Sequence, residues 1–157
     1  MTPLVRPPSS RTLAMGLLAL SSFFLATAPV NAEQSQEIGD YVVHYNAMNT
    51  DTLSAEIARQ YNIGRSKNRG MVSLTILKKQ PGVAGKPVTA KVTAKSTDLT
   101  GKQQVLSMRE VKDADAIYYL SEFTITHKEI LNFEVLVSPE NSAQTHEIKF
   151  KQEFYTR

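Results

Sequence analysis

The sequence predicts an all-β domain, an immunoglobulin-like antiparallel β-sandwich of about seven strands with one short helix between the first two strands. Three observations predict it. Apolar and polar residues alternate with period two from Tyr41 to Phe154. Turn-forming clusters interrupt that alternation at roughly 8–15-residue spacing. A 157-residue chain with 41% hydrophobic and 21% charged residues suits one packed domain and excludes wholesale disorder. The chain has no Cys and no Trp, so the comparison with immunoglobulins is one of architecture. An open barrel is the competing arrangement.

Each element follows from its own pattern. Tyr41, Val43 and Tyr45 place alternate side chains on one face and open the domain. Leu53, Ile57 and Tyr61 are spaced four apart, a single helical stripe, with Asp51 or Thr52 as cap and Gly64 just beyond the end. That helix is expected to cross between the sheets and seal one end of the core. Val72, Leu74 and Ile76 alternate after Gly70, and Val88–Lys95 sets small apolar residues against Thr and Lys. Gln103–Val111 is ambiguous, because Leu106 and Met108 compete with Val105 and Val111 for the buried face. Ile117, Tyr119, Phe123 and Ile125 form another inward set, interrupted by Ser121. Leu131, Phe133, Val135 and Val137 form the next, and Ile148, Phe150 and Phe154 the last. The segments 80–82, 84–87, 100–102, 112–115 and 138–142 read as turns.

Residues 1–32 differ from the rest. A leader with Arg6 and Arg11 and no acid precedes the apolar run Leu13–Ala26, and Val30-Asn31-Ala32 offers small residues for cleavage. This is the plan of a secretory signal peptide. The apolar run is about fifteen residues, short of the roughly 20 that span a bilayer. Without a Cys at the junction the product is expected to be soluble, periplasmic and not lipidated. The domain expected after cleavage is 33–157. Losing Arg6 and Arg11 takes Lys+Arg from 18 to 16 against 15 Asp+Glu. The mature chain is therefore nearly neutral, which argues against nucleic acid or stable membrane insertion as partners.

Catalytic and metal chemistry find little support. The absence of Cys removes thiolate metal sites and a cysteine nucleophile. His44, His127 and His146 fall on different elements, and a nine-residue strand of about 30 Å separates the last two. No nucleophile elbow occurs. Gly82–Pro87 only mimics a phosphate loop, being too short between its glycines and lacking the Ser/Thr, and is read as a hairpin turn. Asp113 and Asp115 sit in a polar turn. No metal or cofactor is expected.

Two features point to recognition. Gly64–Gly70 carries Arg65, Lys67 and Arg69 with no acid, a pattern able to take a carboxylate, a phosphate or an acidic protein surface. Tyr118 and Tyr119 are neighbours on one strand and must face opposite ways. Segments 39–50 (with Tyr41, His44, Tyr45 and Asn46), Tyr61, 65–69, 115–119 and 150–155 resemble an exported proteobacterial family, the domain of unknown function 4426 family. The resemblance covers nearly all of the mature chain. It implies a Gram-negative periplasmic setting and brings no activity, cofactor or catalytic residue. Tyr41, His44, Tyr45, Asn46, Arg65, Ser66 and Arg69 match its motifs.

The expected function is that of a non-catalytic, envelope-associated module that binds a periplasmic or envelope protein, using Tyr41, His44, Asn46, Arg65, Lys67 and Arg69. The alternative is a small-ligand-binding or hydrolytic protein using His44 and Arg65 in a cleft at one end of the sandwich. A third role, as a donor or acceptor of a strand, is opposed by Lys91 and Lys95, read as charges on an edge strand.

Overall fold

The computed structural model describes residues 34–156, so the expected signal peptide lies outside the described residues. Ten strands run in chain order: β1 (Gln34–Ile38), β2 (Tyr41–Asn49), β3 (Arg69–Gln80), β4 (Val83–Pro87), β5 (Ala90–Asp98), β6 (Gln103–Leu106), β7 (Arg109–Asp113), β8 (Ala116–Thr124), β9 (Glu129–Pro139) and β10 (His146–Phe154). A 3-10 turn at Thr50–Thr52 and the helix α1 (Ala55–Gln60) join β2 to β3. The larger sheet has the order β1-β2-β3-β8-β7, with β4 paired to β3; the smaller has the order β10-β9-β5-β6, and every pairing is antiparallel. The architecture is the expected β-sandwich. The larger strand count comes from β1 and β4, which sequence alternation did not mark, and from a split of 103–111.

The core lies between the two sheets. Val43, Val72, Leu74 and Ile76 of the larger sheet face Phe133, Val135, Val137 and Ile148 of the smaller, and all are essentially inaccessible to water. Aromatic rings run through this layer. Tyr45 stacks on Phe150 at 4.6 Å and Phe150 on Phe133 at 4.8 Å, and Phe123 meets Phe133 and Phe154 at 5.5 and 5.6 Å. Gly70 makes room for them, since a Cβ there would stand 2.6 Å from the Phe123 ring.

The ambiguous segment resolves into a change of sheet. Leu106, buried, ends β6 in the smaller sheet, and β7 then begins at Arg109 in the larger one. Leu106 and Val111 therefore never compete for one face. Residues 84–87, expected as a turn, belong instead to β4. Gly85 permits that pairing, because a Cβ would lie 2.7 Å from the Lys78 carbonyl oxygen. Lys95 is also not an edge charge. β6 covers β5 from Ala94 to Thr97, and Lys95 forms a 2.8 Å ion pair with Glu134 of β9. Only the stretch of β5 around Lys91 lies beyond β6.

Tyr119 ties the layers together. It is buried, its hydroxyl donates to Glu110 Oε2 at 2.9 Å, and it accepts from the Ala90 N–H of the opposite sheet at 2.7 Å. Burial pushes its hydroxyl pKa up to about 12; the Glu110 carboxylate adds to the rise and the Ala90 N–H opposes it. The unfolded phenol ionises near pH 10. Between about pH 10 and 12 the unfolded chain loses a proton that the folded chain keeps, so stability falls as pH rises through that window. Tyr119→Phe should remove this part of the alkaline slope and lower stability at pH 7 by about 1–3 kcal/mol, because Ala90 N–H loses its acceptor. Urea denaturation at a series of pH values measures both effects.

Candidate functional site

The outer face of the larger sheet is apolar at its centre. On β3, residues 70–72 are all buried, with Val72 turned to the main core and Met71 to the other side. On β8, Tyr119 and Leu120 divide the same way. A sheet apolar on both faces needs a second cover, and the crossover from β2 to β3 supplies it. Ala58, Ile63, Met71 and Leu120 form a separate buried cluster, against which Met48, Leu53, Tyr61, Val111 and Tyr118 pack. The helix thus covers the outside of the larger sheet and does not seal the end of the main core. Local chemistry explains its limits. Ser54, in place of Asp51 or Thr52, caps the start by accepting the Ile57 N–H at 3.2 Å. Asn62, with φ of 52°, takes the left-handed position after the helix that was expected near Gly64, and Ile63 N–H closes the end on the Ala58 carbonyl at 2.7 Å.

The cover is incomplete. Ile57, in the middle of the expected stripe, remains 39% exposed while Ala58 beside it is buried. Ala58 and not Ile57 is the helix residue buried against the sheet, and a cleft of about 210 Å³ is left beneath the helix. Met48, Met71, Ser73, Tyr118 and Leu120 form its floor, and Leu53, Ile57, Tyr61 and Ile63 its roof. Tyr61 meets Tyr118 edge-on at 5.9 Å. Its hydroxyl donates to Asp113 Oδ2 at 2.7 Å, and that bond, with burial, raises its pKa to about 12. Gln60 donates to the same oxygen at 2.9 Å, and Arg109 reaches the Tyr61 carbonyl at 2.6 Å. The far end of the helix is thereby anchored to β7.

The chain beyond the helix is the cation-rich loop 64–70, and Thr50 holds it. Thr50 is completely buried. Its hydroxyl accepts the Ser66 N–H at 3.0 Å and shares its own hydrogen between the Gly64 carbonyl at 2.9 Å and the Ser66 carbonyl at 3.2 Å. Glu122 Oε2 accepts the Gly64 N–H at 3.1 Å and Arg69 Nη1 at 3.0 Å. Asn68 N–H bonds Ser66 Oγ, and the Asn68 carbonyl accepts the Ile125 N–H. Arg69 is therefore a brace, and Arg65 and Lys67 are the cations the loop carries outward. Arg65 Nη2 donates to the Asp51 carbonyl at 3.0 Å.

The predicted site residues are not all gathered here. Tyr41 is 8% exposed and belongs to the main core. His44 and Asn46 are half-buried on the outer face, opposite Thr75 and Ser73 of β3. Asn46 thus borders the cleft floor. His44 lies five residues back from Asn49 along β2, roughly 17 Å from the level of the loop, so the structure does not bring it to Arg65. Among the described residues no three His, Cys, Asp or Glu side chains are grouped to hold a metal ion, and no helix among them is long and apolar enough to cross a membrane. The residues that sequence reasoning missed are Met48, Met71, Thr50 and Glu122. Adjacent apolar pairs, Met71-Val72 and Tyr119-Leu120, were the legible signal for the two-sided sheet.

The model of the DUF4426 domain of unknown function matches residues 35–157. A crystallised DUF4426-family protein of Pseudomonas aeruginosa PAO1 is 35% identical and superposes with a TM-score of 0.69 over 80% of this chain and 96% of its own. FetP of uropathogenic Escherichia coli strain F11, recombinantly expressed in the periplasm of E. coli BL21(DE3), is 7% identical with a TM-score of 0.58 over 80% and 95% of the two chains. A copper-bound variant of FetP is 9% identical with a TM-score of 0.57 over 80% and 97%. These last two likenesses are of fold. No curated protein matches the sequence.

Thr50→Val keeps the shape of the side chain and removes the hydroxyl that three loop groups share. It should lower stability by about 1–3 kcal/mol and speed amide hydrogen exchange at Ser66, while Thr50→Ser restores both.

Proposed function

This chain belongs to the DUF4426 family, and on that premise we propose that it is an exported, non-catalytic interaction module whose recognition surface is the loop 64–70. The observation that carries the reading is the buried Thr50 hydroxyl, which fixes the loop backbone before any partner arrives. Ordering a loop on binding opposes association, and here that ordering is already part of the fold. Arg65 and Lys67 extend from the fixed backbone as exposed cations. Arg65 uses one nitrogen on Asp51 and keeps further N–H donors for a carboxylate. A fixed pair of cations suits an acidic patch on an envelope protein, with complementary charge speeding encounter and fixing register.

The setting is the periplasm, reached through the leader 1–32. The basic leader, apolar run and small-residue junction support it. The copper of the FetP variant belongs to that protein, since a likeness at 9% identity is one of fold.

Two experiments test the reading. Cell fractionation should find the protein in the periplasmic fraction with Glu33 as its first residue; a cytoplasmic, full-length product overturns the export. A photo-crosslinker in place of Asn68 should trap a partner in cells. The Arg65→Ala/Lys67→Ala pair should cut that capture about tenfold, corresponding to about 1.4 kcal/mol, and raised salt should do the same. Undiminished capture by the double variant removes the loop as the surface.

A further inference from the structure

We infer that the docking surface runs beyond loop 64–70 across one end of the sandwich, to His127, Lys128 and Tyr155, and accepts an acidic polypeptide segment with an aromatic side chain between its carboxylates. The inference rests on the loop reading above and deepens it, by adding the rest of the surface and the chemistry it fits. Tertiary contacts bring these groups together. β2 ends, β3 begins and β8 ends here, with Asn49 paired to Gly70 and Arg69 to Thr124. Neighbouring strands lie about 4.8 Å apart, so the three segments they release share a width of about 10 Å. The Asn68 carbonyl accepts the Ile125 N–H at 3.0 Å, which joins the loop to the turn carrying His127 and Lys128. From the smaller sheet, Tyr155 follows the last residue of β10, and its carbonyl accepts Asn49 Nδ2 at 2.8 Å. The His127 ring meets the Tyr155 ring edge-on at 6.1 Å.

Each segment has its backbone held and its side chains outside. Thr50 holds residues 64–66. Glu129 Oε2 accepts the Thr126 N–H at 2.6 Å and the Thr126 hydroxyl at 3.1 Å, and Lys128 takes a left-handed φ of 56°. Asn49 fixes the Tyr155 backbone, yet Tyr155 is 51% exposed, and Arg65, Lys67, His127 and Lys128 are exposed with it. An aromatic pair bordered by cations on an ordered backbone has the make-up of an interface anchor and its rim. Among the described residues Arg65, Lys67 and Lys128 form no ion pair. The acids at this end are already engaged. Glu122 serves Arg69 and Gly64, Glu129 serves Thr126, Asp98 serves the Thr100 and Lys102 amides, and Glu153 holds the Tyr155 hydroxyl. Carboxylates on a partner match the three cations, and an aromatic side chain matches the Tyr155–His127 pair. An anionic membrane is a poorer fit, because the expected mature chain is nearly neutral and this end carries acids among its cations.

The probe is the peptide acetyl-Glu-Asp-Phe-Asp-Glu-amide, with an Ala-centred counterpart, titrated into isotope-labelled protein. The amide signals of Lys67, Lys128 and Tyr155 should shift saturably, while Gly82, in the turn between β3 and β4 at the opposite end, stays in place. Lys128→Asn removes the charge and keeps a residue type that tolerates the left-handed backbone. Tyr155→Ala removes the ring and keeps the carbonyl that Asn49 binds. Each should weaken the peptide about fivefold, the scale of one interface anchor, and the Ala-centred peptide should bind the unaltered protein more weakly by a similar factor. Amide signals away from each substitution verify the fold. If Arg65→Ala/Lys67→Ala weakens the peptide but Lys128→Asn and Tyr155→Ala do not, the extension falls and the loop reading stands. Absence of saturable shifts, or equal binding of the Ala-centred peptide, also overturns the inference, and crosslinking through position 68 in cells then judges the loop separately. Binding to phosphatidylglycerol vesicles that the same variants abolish, without binding of the peptide, overturns it too and assigns this end to lipid.

Discussion

The structure depends on a sheet whose central strands are apolar on both faces. β3 sends Val72, Leu74 and Ile76 inward, yet it also carries Met71 outward, where water would otherwise meet it. An antiparallel sheet in a sandwich normally leaves one side to solvent. Here β3 and its neighbour β8 leave that side unfinished, and the crossover between β2 and β3 folds back over it. The helix, its anchor on Asp113, the braced loop and the cleft are all consequences of that cover. A six-residue helix has little stability of its own, so it persists because Ala58 and Ile63 are packed against Met71 and Leu120.

The brace and the cover answer different requirements. Apolar burial holds the helix without prescribing its rotation, since the attraction has no direction. Directional bonds fix what burial leaves free. Thr50 sets the course of residues 64–66, and Glu122 sets the start of β3 through Arg69 and Gly64. A buried hydroxyl without partners would be costly; one serving three backbone groups turns that cost into a specification of loop geometry. The cations beside it inherit that rigidity.

The sandwich was legible because alternation is a strong signal wherever one face of a strand is buried, as in Leu131–Val137 and Ile148–Phe154. The reading lost detail where that premise failed. β1 is short and mostly exposed, so it carries little pattern. β4 looked like a turn because Gly85 and Pro87 usually punctuate, whereas Gly85 is there to let two backbones approach. Leu53, Ile57 and Tyr61 disclosed a helix but not its rotation, because Ala58 fits closer to the sheet than Ile57 can. Of the site, the cluster Arg65–Arg69 was visible as composition. The division of labour within it was not, because Glu122 and Thr50 join it only through tertiary contacts across long stretches of sequence.

The pairing scheme also governs how the chain can assemble. β3 meets β8 through Arg69 with Thr124 and Leu74 with Tyr119, and β5 meets β9 through Ala90 with Pro139. Neither sheet can be completed by one half of the polypeptide. A growing chain that has not yet delivered Ala116–Thr124 holds β3 with an open side, so closure waits for late residues. Such long loops are entropically slow to close. That delay leaves the interval before closure as the time when self-association competes most strongly.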